Sequence, residues 1–493
     1  MKTLSKYLNG KVLTLLAASL FVSVSCSDEF LDVDVQGETP VEDFWQSEED
    51  ATRAVNSIYG YLRDWKQVAF AAIAVESLGS DNTEKGSSAS DATFLNNYDN
   101  YTVTPTDGQL LDFWAGQYQE INLCNQVLTN VPGIEMDESL KARYLAEAKF
   151  VRAYCYFRLV RAFGDVPLRT EVITDPAQFN IPRTPRDQVY DFIEQDLTEA
   201  AAILPTSYSG SEVGRATKGA ALSLHAKVNM YRNDWPQVLS LTEQVMQLGY
   251  SLVPNFQLLF REEFENSSES IFEIQAALIP GNAPASNSQY SQVQGVRGSV
   301  GGGWGFNVPT EALANAFEPG DPRRDATIIF RGETTPQGDV IPPDGDNPRY
   351  NEKSYVPFSD HVSGYNEGAQ QNIRVLRYAD VLLMNAEANN ELGNTQPALT
   401  SLEMVRARAR GGNAGILPEV TTTDQNELRL AIWHERHVEL AMEFDRYFDV
   451  IRQGRGEEVF GPKGWTPNKN EVWPIPQTEI DLSAGILTQN PGY

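Results

Sequence analysis

The chain is poor in cysteine, histidine and positive charge, and each shortage closes off a class of function. Three cysteines in 493 residues, Cys26, Cys124 and Cys155, are too few for a disulfide-framed scaffold. Cys124 and Cys155 stand in apolar helical contexts and read as buried thiols, with a bridge between them left open. Only four histidines are present. His434 and His437 lie at i,i+3, not at the i,i+4 of a zinc-protease helix, and His225 and His361 are far off in sequence, so no metal site is expected. Lys and Arg number 39 against 67 Asp and Glu, a formal charge of −28. A surface of that sign repels phosphate backbones and argues against nucleic-acid binding. No G-x-S-x-G elbow marks a nucleophile. A glycosidase needs two carboxylates, and among 67 acids their presence decides nothing. No catalytic residue is assigned, no cofactor is implied, and the chain reads as a non-enzyme.

What is present is mostly helix. In residues 141–168, Tyr144, Ala148, Val151, Cys155, Leu159 and Ala162 recur at helical spacing, with Phe150, Tyr154, Phe157 and Val160 in a row beside them. Two apolar rows predict a helix covered on more than one side, central in the fold. Gly164 and Pro167 stop it. An earlier helix is expected after the capping box Thr39-Pro40-Val41-Glu42, through Phe44, Trp45, Ala51, Val55, Ile58 and Leu62. Another covers about 112–130. Helix pairs are expected at 219–231 with 235–248, at 377–391 with 396–410, and, with a longer connection, at 141–163 with 187–203. They are irregular tetratricopeptide-like units that stack into a superhelix. The last helices, 425–442 and 445–453, carry Glu435, Arg436, Glu439, Glu443, Arg446, Asp449 and Arg452 in alternating sign. That pattern predicts structural ion pairs on a partly buried face. The fold class is therefore all-α: a tetratricopeptide-like helical-pair superhelix with a loop-rich, irregular ligand-binding subdomain.

Two stretches lack helical period. Residues 79–107 are polar and turn-rich and hold Phe94, Tyr98 and Tyr101. Residues 280–365 are rich in Gly, Pro, Asn and Ser, with one helical pattern at 310–317. They carry Tyr290, Trp304, Phe306, Tyr350, Tyr355, Phe358 and Tyr365. Aromatic rings on polar loops offer flat apolar faces with little entropy to lose. The CH faces of sugars stack on such rings, and neighbouring polar groups read the hydroxyls. Trp304, within the glycine run of residues 298–307, is the first candidate for ligand contact, followed by Tyr290 and Phe306, then Tyr98 and Tyr101. The competing reading makes these aromatics packing residues of a small accessory subdomain.

Residues 1–25 read as an export signal, with Lys2, Lys6 and Lys11 ahead of an apolar stretch at 12–24. That stretch is shorter than the roughly 20 apolar residues a membrane span requires. The Ser25–Cys26 junction looks like a relaxed lipobox.

Several segments together resemble the SusD/RagB family of outer-membrane nutrient-binding lipoproteins. They are the central FVRAYCYFRLVRAFGDVPL, the opening FLD…TP…FW, GRATKGAA, RYADVLLMNAEA, DRYFDVIR, WPIP and the terminal QNPGY. The resemblance runs from Cys26 to Tyr493. One departure is Ala441-Met442-Glu443-Phe444, where the family more often has a glycine. The resemblance implies a signal peptide at 1–25 and a helical region at 26–280. It implies a loop-rich insertion and candidate ligand-binding region at 281–365, then a C-terminal helical region at 366–493. It implies acylation of Cys26, with Ser27-Asp28-Glu29 directing the lipoprotein to the outer face of the outer membrane. It implies a glycan ligand and a SusC-like TonB-dependent transporter as partner. Alternatives are peptide capture for such a transporter, as in the RagB branch, or a glycoside hydrolase.

Overall fold

The structure, a computed structural model, describes residues 44–175, 178–277, 288–298, 301–361 and 368–493. The signal sequence, the Cys26 lipidation site and the Thr39 capping box lie outside the described residues, as does Tyr365. Residues 1–46 form one unit, and Ser47–Tyr493 form a second, compact one. All that follows concerns the second.

Ten main helices carry it: α1 Glu48–Tyr61, α2 Gly108–Asn130, α3 Glu138–Phe163, α4 Arg186–Ile203, α5 Lys218–Arg232, α6 Trp235–Met246, α7 Tyr378–Glu391, α8 Thr395–Arg410, α9 Gln425–Glu439 and α10 Arg446–Arg452. Consecutive helices from α1 to α8 pack against one another in unbroken order, and α1 also touches α3. The expected pairs α3/α4, α5/α6 and α7/α8 are present, α5 stacks on α4, α6 on α7, and α9 covers α7. Stacked antiparallel helix pairs of this kind make the tetratricopeptide-like frame. Local signals start the helices, though α1 begins at Glu48 and not after the Thr39 box expected to start it. Ser47 and Asp50 form a reciprocal capping box on α1, Asp137 caps α3 and Thr217 caps α5.

Beside this mostly helical frame, six short strands among the described residues form three two-stranded antiparallel sheets: β1 Thr83–Gly86 with β3 Phe306–Pro309, β2 Ser270–Ile274 with β6 Ile373–Arg377, and β4 Ile328–Phe330 with β5 Arg349–Asn351. The β2–β6 pair brackets the loop-rich excursion between them, and β1–β3 joins that excursion to the earlier polar stretch.

Helix α3 is central, as its two apolar rows predict: Tyr144, Ala148, Phe150, Val151, Cys155, Phe157, Leu159 and Ala162 are all buried. Its end is closed by the far end of the chain. The Trp473 N–H donates to Ala162 O at 2.8 Å, and Asn490 Nδ2 donates to Phe163 O at 2.9 Å. These carbonyls have no partner within the helix, which gives the terminal WPIP and QNPGY segments a physical task. Cys124 and Cys155 are buried free thiols.

The alternating charges of α9 and α10 are buried ion pairs. Arg436 spans Asp380 and Asp449, Arg452 meets Glu387 at 2.7 Å, and Arg446 meets Asp81 at 2.7 Å. Glu435 meets Arg406 at 2.8 Å, Glu439 meets Arg323 and Arg377, and Glu443 meets Lys353 and Arg377. Removing one partner of such a pair typically costs about 3–5 kcal/mol, since the other charge is left buried. The same charges shorten α9. It was expected to run to residue 442 but ends at Glu439, where Lys353 Nζ donates to Glu439 O at 2.8 Å and Arg377 Nη2 at 3.1 Å. Met442 and Phe444 then turn the chain with φ of +68° and +66°, the left-handed region that glycine occupies without strain. This is the position where the sequence departs from the family's glycine.

Candidate functional site

Most of the candidate aromatics fold inward. Tyr98 and Tyr101 were expected to face a ligand and instead lie in the core, at 0% and 4% exposure. Tyr98 donates its hydroxyl to Asp107, the cap of α2, at 2.6 Å, and Tyr101 donates to Gly79 O. Both rings pack on Trp473, and Tyr101 stacks on it at 6.0 Å. Burial of these phenols against carboxylate and ring neighbours raises both pKa values well above 10. Tyr350 and Tyr355 are also core, packed with Val296, Val308, Ile329 and Ile341. Tyr290 is buried on a one-turn helix, edge-on to Phe444 at 5.9 Å. It walls an interior cleft with Phe157, Arg158 and Arg374 and offers no open face.

Trp304 differs. It is half-buried and joins Trp65 and Phe70, each with ring centroids 5.9 Å from its own. Trp65 and Phe70 meet at 5.3 Å, and Phe94 lies 6.2 Å from Phe70. Trp65 and Phe70 are likewise half-buried, and Phe94 is 38% exposed. Phe306 is buried at 2% and supports the cluster from beneath, edge-on to Phe70 at 4.8 Å. The sequence reading placed Phe306 at the ligand; its burial makes it the support of the site rather than its face. Trp65 and Phe70 were missed. Their signal was a pair of large rings just past α1, on the short helical turns Trp65–Val68 and Phe70–Ala72.

The local chain fixes this platform. The register Gly86↔Phe306 brings β1 and β3 together, and Ser87 N–H donates to Gly305 O at 2.6 Å. The glycines around Trp304 allow close backbone approach. A Cβ at Gly303 would lie 2.4 Å from the Gly295 carbonyl carbon, and Gly305 has φ of +72° with Asn347 Nδ2 at 2.6 Å from its would-be Cβ. Trp304 N–H donates to Gln292 O at 2.9 Å, and Arg297 Nη1 donates to Trp304 O at 3.1 Å. Arg297 also donates to Ser87 Oγ and to Asp91 Oδ2, the latter at 3.0 Å. It therefore ties the segment ahead of Phe94 to the segment of Trp304. Lys85, its pKa lowered by burial, donates to the carbonyls of Gly86, Ser88 and Asp91. Among the described residues the indole N–H groups of Trp65 and Trp304 have no hydrogen-bond partner, so both can donate to a ligand.

The histidines take no part. Burial holds His437 at about 3, with Nε2 against Asn82 Oδ1, and holds His225 at about 4. Among the described residues no group of three His, Cys, Asp or Glu could hold a metal ion. No helix among them is long and apolar enough to cross a membrane.

Comparison with known proteins agrees with this architecture. The model of the SusD family matches residues 268–493, and that of a family described as starch-binding and associating with the outer membrane matches residues 29–230. SusD-like protein P2 of Formosa agariphila is 29% identical, with 96% of this chain and 98% of that protein covered. A laminarin-binding SusD-like protein of known structure is 30% identical, with a TM-score of 0.78 over 91% of this chain and 100% of that one. Surface glycan-binding protein A of Bacteroides thetaiotaomicron, solved with laminarihexaose, shares the fold at a TM-score of 0.75 and 24% identity, with 90% of this chain and 100% of that one covered.

Proposed function

The chain belongs to the SusD/RagB family, and we propose that it captures glycans outside the cell and hands them to a transporter in the outer membrane. The observation that carries this reading is the aromatic platform. Trp65, Phe70, Phe94 and Trp304 come from three separate segments, stay partly open to solvent, and leave two indole N–H groups unpartnered. Rings in this arrangement present apolar area to the CH faces of sugars, while N–H donors answer hydroxyls. Similarity to a laminarin-binding protein supports a glycan as the ligand. On this reading residues 281–365, through Trp304, together with the earlier segments of Trp65, Phe70 and Phe94, supply the binding face, and the helical frame supplies the surface that meets a SusC-like TonB-dependent barrel. Acylation of Cys26 would anchor the protein, since several acyl chains hold stably where one holds marginally. The residues perform binding and no catalysis.

Isothermal titration against laminarin, amylose and xyloglucan oligosaccharides tests the reading, with Trp304→Ala as control. Binding to at least one glycan, weakened tenfold or more in Trp304→Ala, is expected. Glycan binding that survives loss of both Trp65 and Trp304 would place the site elsewhere and reject the platform.

A further inference from the structure

The charges around the platform restrict its ligand as much as the rings do. A site that takes sulfate or uronate needs a cation whose charge is not already matched, with an N–H aimed at the ligand. The cations near these rings are committed. Arg63, two residues before Trp65, donates to Gln275 O at 3.5 Å. Lys66, next to Trp65 in the chain, lies 3.5 Å from Asp112. Arg349 lies 3.8 Å from Glu84. Lys85 is buried and its Nζ is used by three backbone carbonyls. Arg297 faces two carboxylates at once, Asp91 at 3.0 Å and Asp346 at 3.1 Å. The Asp91–Arg297–Asp346 group therefore carries a net negative charge, and its two carboxylates are 42% and 56% exposed. The whole chain adds to this with a formal −28. Arg297 Nη2 makes no hydrogen bond among the described residues, so the guanidinium can still donate to a hydroxyl.

We propose that the platform selects uncharged glycans and rejects sulfated or uronate-bearing ones, because the Arg297 guanidinium beside it faces two carboxylates. This rests on the platform being the glycan site, and the test separates the two claims. Laminarin and the same laminarin after chemical sulfation share one backbone, and the salt series separates the effect of the added charge from that of the added bulk and lost hydroxyls. Amylose serves as a second neutral probe, alginate and polygalacturonate as anionic ones, each titrated at low salt and at high salt. The expected result is binding to a neutral glycan that is insensitive to salt, with every anionic probe at least tenfold weaker. An anionic probe that binds as tightly as the best neutral one, and is released by salt, overturns the selectivity while leaving the platform standing if Trp304→Ala still abolishes it. Binding of no probe at all removes the glycan reading and this inference with it. Asp346→Asn keeps a hydrogen-bond acceptor at an exposed position and removes one of the two opposing charges. With folding checked by circular dichroism, it should narrow the neutral-to-sulfated affinity ratio at least threefold; an unchanged ratio overturns the charge argument.

Discussion

Tyr98, Tyr101, Tyr447 and Trp473 form one aromatic cluster, and Trp65, Phe70, Phe94 and Trp304 form another; their polar atoms tell them apart. In the first, every polar atom has a protein partner. Tyr98 and Tyr101 donate to Asp107 and Gly79, Tyr447 donates to Asn470 O at 2.5 Å, and Trp473 Nε1 donates to Val75 O at 2.9 Å. In the second, two residues have no polar side-chain atom, and the two indole N–H groups have no hydrogen-bond partner among the described residues. Buried polar groups must be paired inside the protein, whereas a binding face leaves its donors for the ligand. Both clusters gather four large rings from separate segments of the chain. What separates frame from face is the accounting of donors.

The largest effect should come from breaking the frame. Trp473→Ala removes the ring on which Tyr447, Tyr101 and Tyr98 pack and strands Val75 O. A loss of about 3–5 kcal/mol is expected, read as an earlier urea midpoint, while the folded fraction still binds glycan. A loss of glycan binding in well-folded Trp473→Ala would mean that the two clusters are not independent.

Glu120 breaks the interior rule. It is fully buried on α2, and neither carboxyl oxygen has a partner among the described residues. Burial, then the nearby charge of Asp64, raises its pKa well above the usual range. In the unfolded chain the acid ionises near about 4.3. Above that pH unfolding releases a proton, so this group makes stability fall as pH rises, by about 1.4 kcal/mol per unit, until the folded carboxyl itself ionises. Glu120→Met removes the slope. Its stability advantage over the parent chain should therefore grow between pH 5 and pH 7, measured as the difference in urea midpoints. An equal difference at both values would show that Glu120 does not titrate on unfolding.

Trp304→Ala comes next. About 2 kcal/mol of glycan affinity should be lost, the size of an interface hot spot, with little change in thermal midpoint since the ring is half open. A drop in stability as large as that of Trp473→Ala would make Trp304 a frame residue and dissolve the distinction.

The frame was largely legible in the sequence because it is periodic. The rows of α3, the helix pairs and the alternating charges of α9 and α10 all follow a 3.6-residue repeat. The end of α9 was not legible. It depends on Lys353 and Arg377 reaching Glu439 O, and the turn uses Met442 and Phe444 where a glycine would have announced it. Tyr98 and Tyr101 misled because their burying partner, Trp473, lies at the other end of the chain. Trp304 stood out in the sequence by its glycines, and its ring is half-buried; that it meets a ligand is proposed. Its companions Trp65 and Phe70 did not stand out, since long-range contacts such as the β1–β3 pairing and the Arg297 bridge bring the two regions together.

Phe94 supplies the finest test of the comparison. It stands in the same polar stretch as Tyr98, four residues away, yet is 38% exposed where Tyr98 is fully buried. It sits on a short 3-10 turn that Ala92 enters with a left-handed φ of +42°, and it touches the platform through Phe70. If exposure marks the face, Phe94→Ala should weaken glycan binding by about 1 kcal/mol, near fivefold, through lost ring area at the edge. Stability should move by no more than about 0.5 kcal/mol, as for other exposed substitutions. Tyr98→Phe, which leaves Asp107 without its hydroxyl donor, should show the reverse: about 1 kcal/mol of stability lost and unchanged affinity. The same outcome for both variants, in either measurement, would show that neighbours in sequence share one role and that exposure does not divide them.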